Sequence, residues 1–280
     1  MPLSPQQLGV CSWSIHPDSP QALRDQMRAL GLSKVQLVLR PVTTQPDLWG
    51  QTKQVLDDAG ITIVSGMFGT VGEDYSTLAS IRQTGGVVPD EHWPANWEIA
   101  RRSAAIAAEW DVPLVSFHAG FLPADAADPN RNKLLERIGK ITEHFAGLGL
   151  TLLLETGQER AATLSSFLDA LEQQGRRNVM INFDPANMIL YNMGDPVESL
   201  RLLLPRVRQV HLKDALHSPT PGQWGKEAPV GDGDVDWRAF VRVLTQANFT
   251  GDLVVEREAG KTRIADIRKA VEHLSALFSD

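Results

Sequence analysis

Short apolar segments alternate with longer amphipathic segments along the whole chain. Eight of the apolar segments have about the length of a β-strand, and most are rich in Val, Ile and Leu, which is typical of parallel strands covered on both faces. They read LGVCSW (8–13), KVQLVL (34–39), ITIVSGM (61–67), PLVSFH (113–118), LTLLLE (150–155), NVMINFD (178–184), VRQVHLK (207–213) and DLVVERE (252–258). The pattern therefore predicts eight buried strands.

Helical spacing of apolar residues follows the strands. The first helical segment has a Ser N-cap, a Pro at its first position and a closing Gly, at Ser19, Pro20 and Gly31. The predicted helical segments cover 19–31, 45–60, 97–111, 129–149, 163–175, 195–204, 236–248 and 263–278. Strands that alternate with helices in this way predict a (β/α)8 TIM barrel, as one domain spanning residues 1–280.

A doubly wound open sheet is the main alternative to the barrel. Its first strand is usually followed by a glycine-rich phosphate loop. Here SWSIHPDSP (12–20) stands at that position and contains no such loop, which favours the barrel. Two long connections, 68–93 and 214–235, each follow a strand. A barrel places both at the face where active sites are built.

Composition and charge exclude several classes of partner. The chain of 280 residues carries a formal charge of −7, which argues against nucleic acid and against an anionic membrane surface. Cys11 is the only cysteine, so no disulfide can form within the chain, as is usual in a reducing compartment. We expect a cytoplasmic protein, since the N-terminus lacks the basic and apolar regions of a signal peptide. No apolar segment approaches the ~20 residues that span a bilayer.

The last four predicted strands end in side chains that can bind a metal. These side chains are Glu155, Asp184, His211 and Glu256. Each alone could be a solvated strand end, but in a barrel these ends converge at one rim. Buried carboxylates that converge repel one another, and a divalent cation relieves that repulsion. Three oxygen ligands and one imidazole suit Mn²⁺ first, with Mg²⁺, Co²⁺ and Zn²⁺ as alternatives.

The second half of the chain resembles a known family. The segments LLLETGQE (152–159), NFDPANM (182–188), VHLKDA (210–215) and LVVEREAG (253–260) are similar to those of the xylose isomerase-like barrels, the sugar phosphate isomerase/epimerase superfamily. The spacings of 29, 27 and 45 residues between residues 155, 184, 211 and 256 are similar to those of the family's metal ligands. The resemblance implies one divalent metal held by these four residues, with Glu155 and Glu256 as the acid/base pair.

Two positions depart from the family's epimerases. Asn187 stands where many of them have a histidine, and Lys213 follows the strand 7 histidine where they commonly have an arginine. Three functions therefore remain open. The first is an isomerase or epimerase that moves a proton through an enediolate of a sugar, keto-sugar or related polyol. The second is a lyase or dehydratase of a keto-sugar or keto-inositol at the same site, and the third is a non-catalytic sugar-binding barrel.

Further residues near the strand ends are candidates for contact with a small carbohydrate substrate. They are Trp13, His16, His118, Gln158, Asn187 and Lys213. The structural alternatives are a core histidine at 118, a packed tryptophan at 13 and a salt-bridged lysine at 213. The sequence leaves the oligomeric state open, with a homo-oligomer as one alternative.

Overall fold

The eight predicted strands form a closed parallel barrel in the computed structural model of the protein, which describes residues 3–220 and 222–278. Residues 1, 2, 221, 279 and 280, and with them both ends of the predicted 1–280 domain, lie outside the described residues. The barrel strands are Leu8–Cys11 (β1), Lys34–Val38 (β2), Thr62–Met67 (β3), Leu114–Phe117 (β4), Thr151–Glu155 (β5), Val179–Phe183 (β6), Val207–Leu212 (β7) and Asp252–Val255 (β10). Each strand pairs with its neighbours in chain order, and β10 closes the barrel against β1.

Helices surround the barrel. They are Ser12–Ile15 (α1), Pro20–Leu30 (α2), Arg40–Thr44 (α3), Pro46–Trp49 (α4), Thr52–Asp57 (α5), Leu78–Thr84 (α6), Trp93–Glu109 (α7), Pro129–Gly147 (α8), Ala161–Gln173 (α9), Pro185–Leu190 (α10), Pro196–Leu203 (α11), Trp237–Gln246 (α12) and Arg263–Phe278 (α13). The single helix expected over 45–60 is two short helices, preceded by α3. The pattern did not predict α6 and α10, because both are shorter than the window over which helical periodicity can be read.

The strand residues alternate between an apolar outer face and a polar interior. Val35 and Leu37 of β2 belong to the hydrophobic core, whereas Gln36 between them is buried but polar. Gln36 hydrogen-bonds with Ser116 of β4 and Gln209 of β7. Neither strand is a neighbour of β2 in the sheet, so these bonds cross the barrel interior. The barrel thus has a polar lumen beneath its C-terminal rim.

The connection after β7 is ordered by one buried carboxylate. It contains a short antiparallel pair, Asp214–Leu216 (β8) and Lys226–Ala228 (β9). Asp214 accepts hydrogen bonds from the backbone N–H groups of Ala215, Gly231, Gly233 and Val235 and from the indole of Trp237. A Cβ at position 233 would stand 2.0 Å from an Asp214 oxygen, which explains the glycine there.

Among the helices of the described residues, none combines the length and the apolarity needed to cross a lipid bilayer. The longest, α8, has an amphipathic pattern and buries one side against the barrel. Its exposed side carries charged residues such as Lys133 and Glu143.

Candidate metal and substrate site

Four consecutive strands deliver one potential metal ligand each to the C-terminal rim of the barrel. Glu155 ends β5, Asp184 follows β6, His211 lies within β7 and Glu256 follows β10. Each offers one nitrogen or oxygen atom, and these four atoms all lie within 4.8 Å of one another. All four side chains are buried. Residues far apart in sequence thus form one compact cluster.

The cluster has the unpartnered atoms expected of a cation site. Asp184 Oδ2, His211 Nδ1 and Glu256 Oε2 are buried and make no hydrogen bond to the described protein atoms. His211 Nδ1 lies 3.2 Å from Glu256 Oε2, 3.5 Å from Glu155 Oε1 and 3.8 Å from Asp184 Oδ2. Ligand bonds of about 2.0–2.3 Å place neighbouring donors at such separations. The donor set therefore fits a hard divalent ion.

Burial and mutual attraction shift the pKa values within the cluster. Burial raises the pKa of Asp184 to about 6. Burial opposes the charge of Glu256, but Lys213 and His211 outweigh it and hold the pKa of that carboxyl well below its usual value. For His211, the carboxylates of Glu155 and Glu256 overcome burial and raise its pKa well above the usual value. A cation that binds Nδ1 must displace this proton, so metal affinity should fall as the pH is lowered.

The opposite nitrogen of His211 faces a buried polar network. His211 Nε2 lies 2.6 Å from Gln36 Oε1 and 2.9 Å from the amide nitrogen of Asn182. Gln36 Oε1 also accepts a 2.8 Å hydrogen bond from Gln209 Nε2. Cys11 Sγ lies 3.7 Å from His211 Nε2, and burial raises the pKa of this thiol to about 12, so it is protonated at neutral pH. The network leaves Nδ1 as the nitrogen that can bind a cation.

Glu155 is held by amides and lies beside a second histidine. Its Oε1 atom accepts a 3.0 Å hydrogen bond from Asn187 Nδ2, and its Oε2 atom accepts one of 3.3 Å from Asn182 Nδ2. His118 Nε2 lies 3.4 Å from Oε1. Burial opposes ionisation of Glu155, yet His118 and His211 lower the pKa of the carboxyl. Glu155 is therefore a carboxylate whose two oxygen atoms are both held in place by side-chain amides.

Glu256 is held on the other side by different partners. Its Oε1 atom accepts a 2.6 Å hydrogen bond from the indole of Trp13. Lys213 Nζ lies 3.1 Å from Glu256 Oε2 and 2.6 Å from Glu258, which is half exposed. Lys213 itself is buried, and Asp184 Oδ2 is 3.9 Å from its ammonium group. The lysine places a positive charge directly beside the cluster.

A cavity of about 440 Å³ adjoins this cluster, and Glu256 is the cluster residue that lines it. Of the residues predicted to contact substrate, Trp13, His118, Asn187 and Lys213 line it. The other residues that line it are Val38, Met67, Gly69, Tyr75, Leu190, Tyr191, Trp224, Glu227, Glu256 and Glu258. The cavity thus combines aromatic walls with a charged floor.

Two of the predicted contact residues do not line this cavity. His16 is exposed, adopts a positive φ at the end of α1 and contacts the guanidinium of Arg263. Gln158 is buried behind Tyr191 and donates a 3.3 Å hydrogen bond to the Tyr191 hydroxyl. The contact of His16 with Arg263 joins residues far apart in the chain, which the apolar pattern alone does not show.

The sequence of residues 24–277 matches the family model described as xylose isomerase-like TIM barrel. The protein belongs to the xylose isomerase-like TIM barrel family. Within this family, a xylose isomerase domain protein from Planctomyces limnophilus is similar in structure, with 32% identity and a TM-score of 0.84. The similarity covers 90% of this chain and 91% of that one.

Other relatives are more distant. The uncharacterized protein YihM of Escherichia coli (strain K12) is 30% identical over 108 residues, 38% of this chain and 32% of YihM, so the match spans about a third of that relative. The probable 3-DHS dehydratase AsbF of Bacillus anthracis, involved in petrobactin synthesis, shares the fold at 17% identity and a TM-score of 0.73, over 96% of this chain and 98% of AsbF. D-allulose 3-epimerase of Methylomonas sp., in complex with D-allulose, shares the fold at 16% identity and a TM-score of 0.70. The similarity covers 96% of each chain.

Several residues that line the cavity or the barrel lumen were not predicted from the sequence. Tyr75, Tyr191 and Trp224 stand in long connections or at a helix end, where apolar periodicity is lost. Gln36 and Gln209 did leave a trace in the sequence, since each is a polar residue inside an otherwise apolar strand segment. An uncharged polar residue at the centre of a buried strand must find a partner. That reasoning could have predicted the polar lumen.

Proposed function

We propose that the protein is a divalent-metal-dependent isomerase or epimerase of a sugar, keto-sugar or related polyol, moving a proton through an enediolate. The proposal rests chiefly on one observation. Four buried ligand atoms, three of them carboxylate oxygens, lie within 4.8 Å of one another, and Glu256 among these residues lines an aromatic cavity. Membership of a family whose structural relatives include sugar epimerases supports the same reaction class.

The metal would be held by the four clustered residues Glu155, Asp184, His211 and Glu256. When bound, a divalent cation, Mn²⁺ in the first place, supplies the Lewis acidity that makes a C–H beside a carbonyl easier to deprotonate. Asn182 and Gln36 would orient the ligands, because hydrogen-bonded partners of this kind fix the tautomer and direction of a ligating histidine.

Glu155 and Glu256 would act as the acid/base pair. Glu155 ends β5 and Glu256 follows β10, and β6 and β7 separate these two strands around the barrel, so the two carboxylates come from different sides of the rim. One carboxylate would remove the proton from the substrate carbon and the other would return a proton. Asn187 would keep Glu155 in place, and Trp13 would keep Glu256 in place, through the hydrogen bonds described above.

The cavity walls suit a carbohydrate. Trp13, Tyr75, Tyr191 and Trp224 supply aromatic faces against which the C–H face of a sugar can pack. The Lys213 ammonium would stabilise negative charge that develops on a substrate oxygen. We therefore propose a small carbohydrate as the ligand, like the D-allulose bound by the Methylomonas epimerase.

A lyase or dehydratase acting on a keto-sugar or keto-inositol is the second candidate. Lys213, a buried cation 3.1 Å from Glu256, favours it, since the carboxylate of such a pair can remove a proton while the ammonium group donates one to a leaving hydroxyl. Asn187 cannot shuttle a proton, and the lysine would be the acid in this reaction. A non-catalytic sugar-binding barrel fits less well, because sugar binding alone does not require three buried carboxylates.

The first test is the metal content of the purified protein. We expect about one divalent ion per chain, lost in Glu155→Gln and His211→Ala. Glu159→Gln is the matched control, since Glu159 is a buried glutamate four residues from Glu155 and outside the cluster. A wild-type protein that neither holds nor binds a divalent metal would contradict both catalytic candidates.

Incubation with keto-sugars in D₂O separates the candidates. Deuterium incorporated at carbon, with the molecular formula otherwise conserved, is expected for the isomerase or epimerase. Loss of water supports the dehydratase instead. Sugar binding without exchange or mass loss, across a panel of keto-sugars and keto-inositols, would favour the non-catalytic barrel. The Glu155→Gln variant should abolish either reaction while retaining its folded spectrum.

A further inference from the structure

A second cavity, of about 660 Å³, adjoins the cavity that Glu256 lines, and Tyr191 lines both cavities. Arg82, Arg160 and His217 line this second cavity, and no described carboxylate does. Three glutamates line the first cavity by contrast. Two neighbouring spaces at the same rim of the barrel therefore have opposite charge.

The two arginines of the second cavity have no acidic partner within residues 3–220 and 222–278. Neither guanidinium forms an ion pair or a hydrogen bond there, whereas Arg137, Arg206 and Arg257 each pair with at least one carboxylate. Arg82 comes from the connection after β3, and Arg160 from the connection after β5. Two like charges beside one cavity leave a positive potential that an anion would relieve.

The carboxyl groups that share a cavity with these arginines form no ion pair with them within the described residues. Arg82 and Arg160 also line a third cavity of about 390 Å³, together with Asp128 and Glu159. Asp128 caps α8 and accepts a hydrogen bond from the backbone of Asn130. Burial raises the pKa of Glu159 to about 8, so this carboxyl is mostly protonated at neutral pH. The arginines are thus free to bind a ligand.

Aromatic rings connect the positive region with the metal cavity. The Arg82 guanidinium lies 4.9 Å from the centroid of the Phe121 ring, a cation–π distance that holds it in place. The rings of Phe121 and Tyr191 pack edge-on, with their centroids 5.7 Å apart. The centroids of the Tyr191 and Trp224 rings are 4.7 Å apart. Tyr191 and Trp224 line the metal cavity. These rings form a continuous set of aromatic contacts between the arginines and the cavity that Glu256 lines.

We propose that Arg82 and Arg160 bind an anionic group, a phosphate or a carboxylate, at the end of the substrate remote from the reacting carbons. The planar guanidinium fork matches both anions through paired hydrogen bonds. The assignment of that anion to a substrate rests on the proposed function, while the binding of an anion at the two arginines does not. The sequence alone did not lead to this site, because Arg82 and Arg160 stand in two separate connections.

The direct test is titration of the full-length protein with inorganic phosphate, followed by calorimetry or ³¹P NMR. We expect Arg82→Gln and Arg160→Gln each to weaken phosphate binding about 10- to 100-fold, and the double variant to abolish it. Arg28→Gln is the matched control, since Arg28 is an exposed arginine of α2 that lines neither cavity. Both target arginines are exposed and unpaired, so their loss should leave the fold intact.

Two further ligands identify the anion. D-Fructose 6-phosphate and D-glucuronate are titrated against the wild type and the double variant, with D-fructose as the uncharged reference. Selective weakening of the sugar phosphate supports a phosphate site, and selective weakening of the uronate supports a carboxylate site. Equal binding of all three anions by wild type and double variant, or no anion binding by the wild type, overturns the proposal. Because these titrations need no turnover, they are independent of the metal and D₂O tests of the reaction.

Discussion

Replacement of Gln36 by leucine tests how the lumen of the barrel supports the metal cluster. Gln36 is fully buried in β2, and its Oε1 atom lies 2.6 Å from His211 Nε2. When Nδ1 binds a cation, the ring proton must reside on Nε2, and Gln36 Oε1 is placed to accept it. A leucine of similar size removes this acceptor while filling the space. His211 then loses the contact that selects its tautomer.

The expected magnitude follows from this single contact. Loss of a hydrogen-bonded partner of a metal ligand typically weakens metal binding about 10- to 100-fold, or about 1.4–2.7 kcal/mol. Gln209 Nε2 also loses its 2.8 Å acceptor, and an unsatisfied buried donor costs about 1–3 kcal/mol of stability. We therefore expect a folded but less stable variant whose metal affinity falls by more than tenfold.

Calorimetric titration of the metal-free protein with Mn²⁺ measures the first effect. Urea denaturation of the metal-free protein measures the second effect, the loss of free energy of unfolding. Ser65→Ala is the control, because Ser65 pairs in register with Gln36 on β3 and its buried hydroxyl has no partner. If Gln36→Leu binds Mn²⁺ as tightly as Ser65→Ala, the reasoning is refuted.

Three further changes have defined outcomes. Asp214→Asn should lower the unfolding free energy by about 3 kcal/mol or more, measured by urea denaturation, because Oδ2 accepts hydrogen bonds from two loop amides and the Trp237 indole. Burial raises the pKa of Glu159 to about 8 in the folded state. The free energy of unfolding of the wild type should therefore fall as the pH rises from about 4.5 to 8, by about 1.4 kcal/mol per pKa unit. Thermal unfolding at pH 5 and pH 8 should show this loss in the wild type and not in Glu159→Gln. Lys213→Met should tighten Mn²⁺ binding at pH 8 by tenfold or more, since it removes a cation 3.1 Å from Glu256, and unchanged or weaker binding by calorimetry would contradict this.

The fold could be predicted because its evidence is local. Each buried strand leaves a run of apolar residues, and each amphipathic helix leaves a 3.6-residue period, whatever the rest of the chain does. The alternation of the two then leaves few architectures. Elements shorter than about two helical turns, such as α6 and α10, carry too few residues for a period to show. The β8–β9 pair depends on Asp214 and its loop, which no periodicity reports.

The four cluster residues could be predicted for a related reason. In a parallel barrel all strands run in the same direction, so the last residue of each strand reaches the same rim. The structure brings Glu155, Asp184, His211 and Glu256 together as this rule requires. Their side chains were inferred from position along a strand, without knowledge of any contact.

The remaining features needed the tertiary structure. Gln36 and His211 are 175 residues apart and meet only because β2 and β7 face each other across the lumen. Arg82 and Arg160 line one cavity because of the paths of two separate connections, and His16 contacts Arg263 instead of lining the cavity beside the cluster. Hydrophobic periodicity determines which residues are buried in strands and helices. The path of a loop and the partner of a polar side chain depend on distant residues, and only the folded chain decides them.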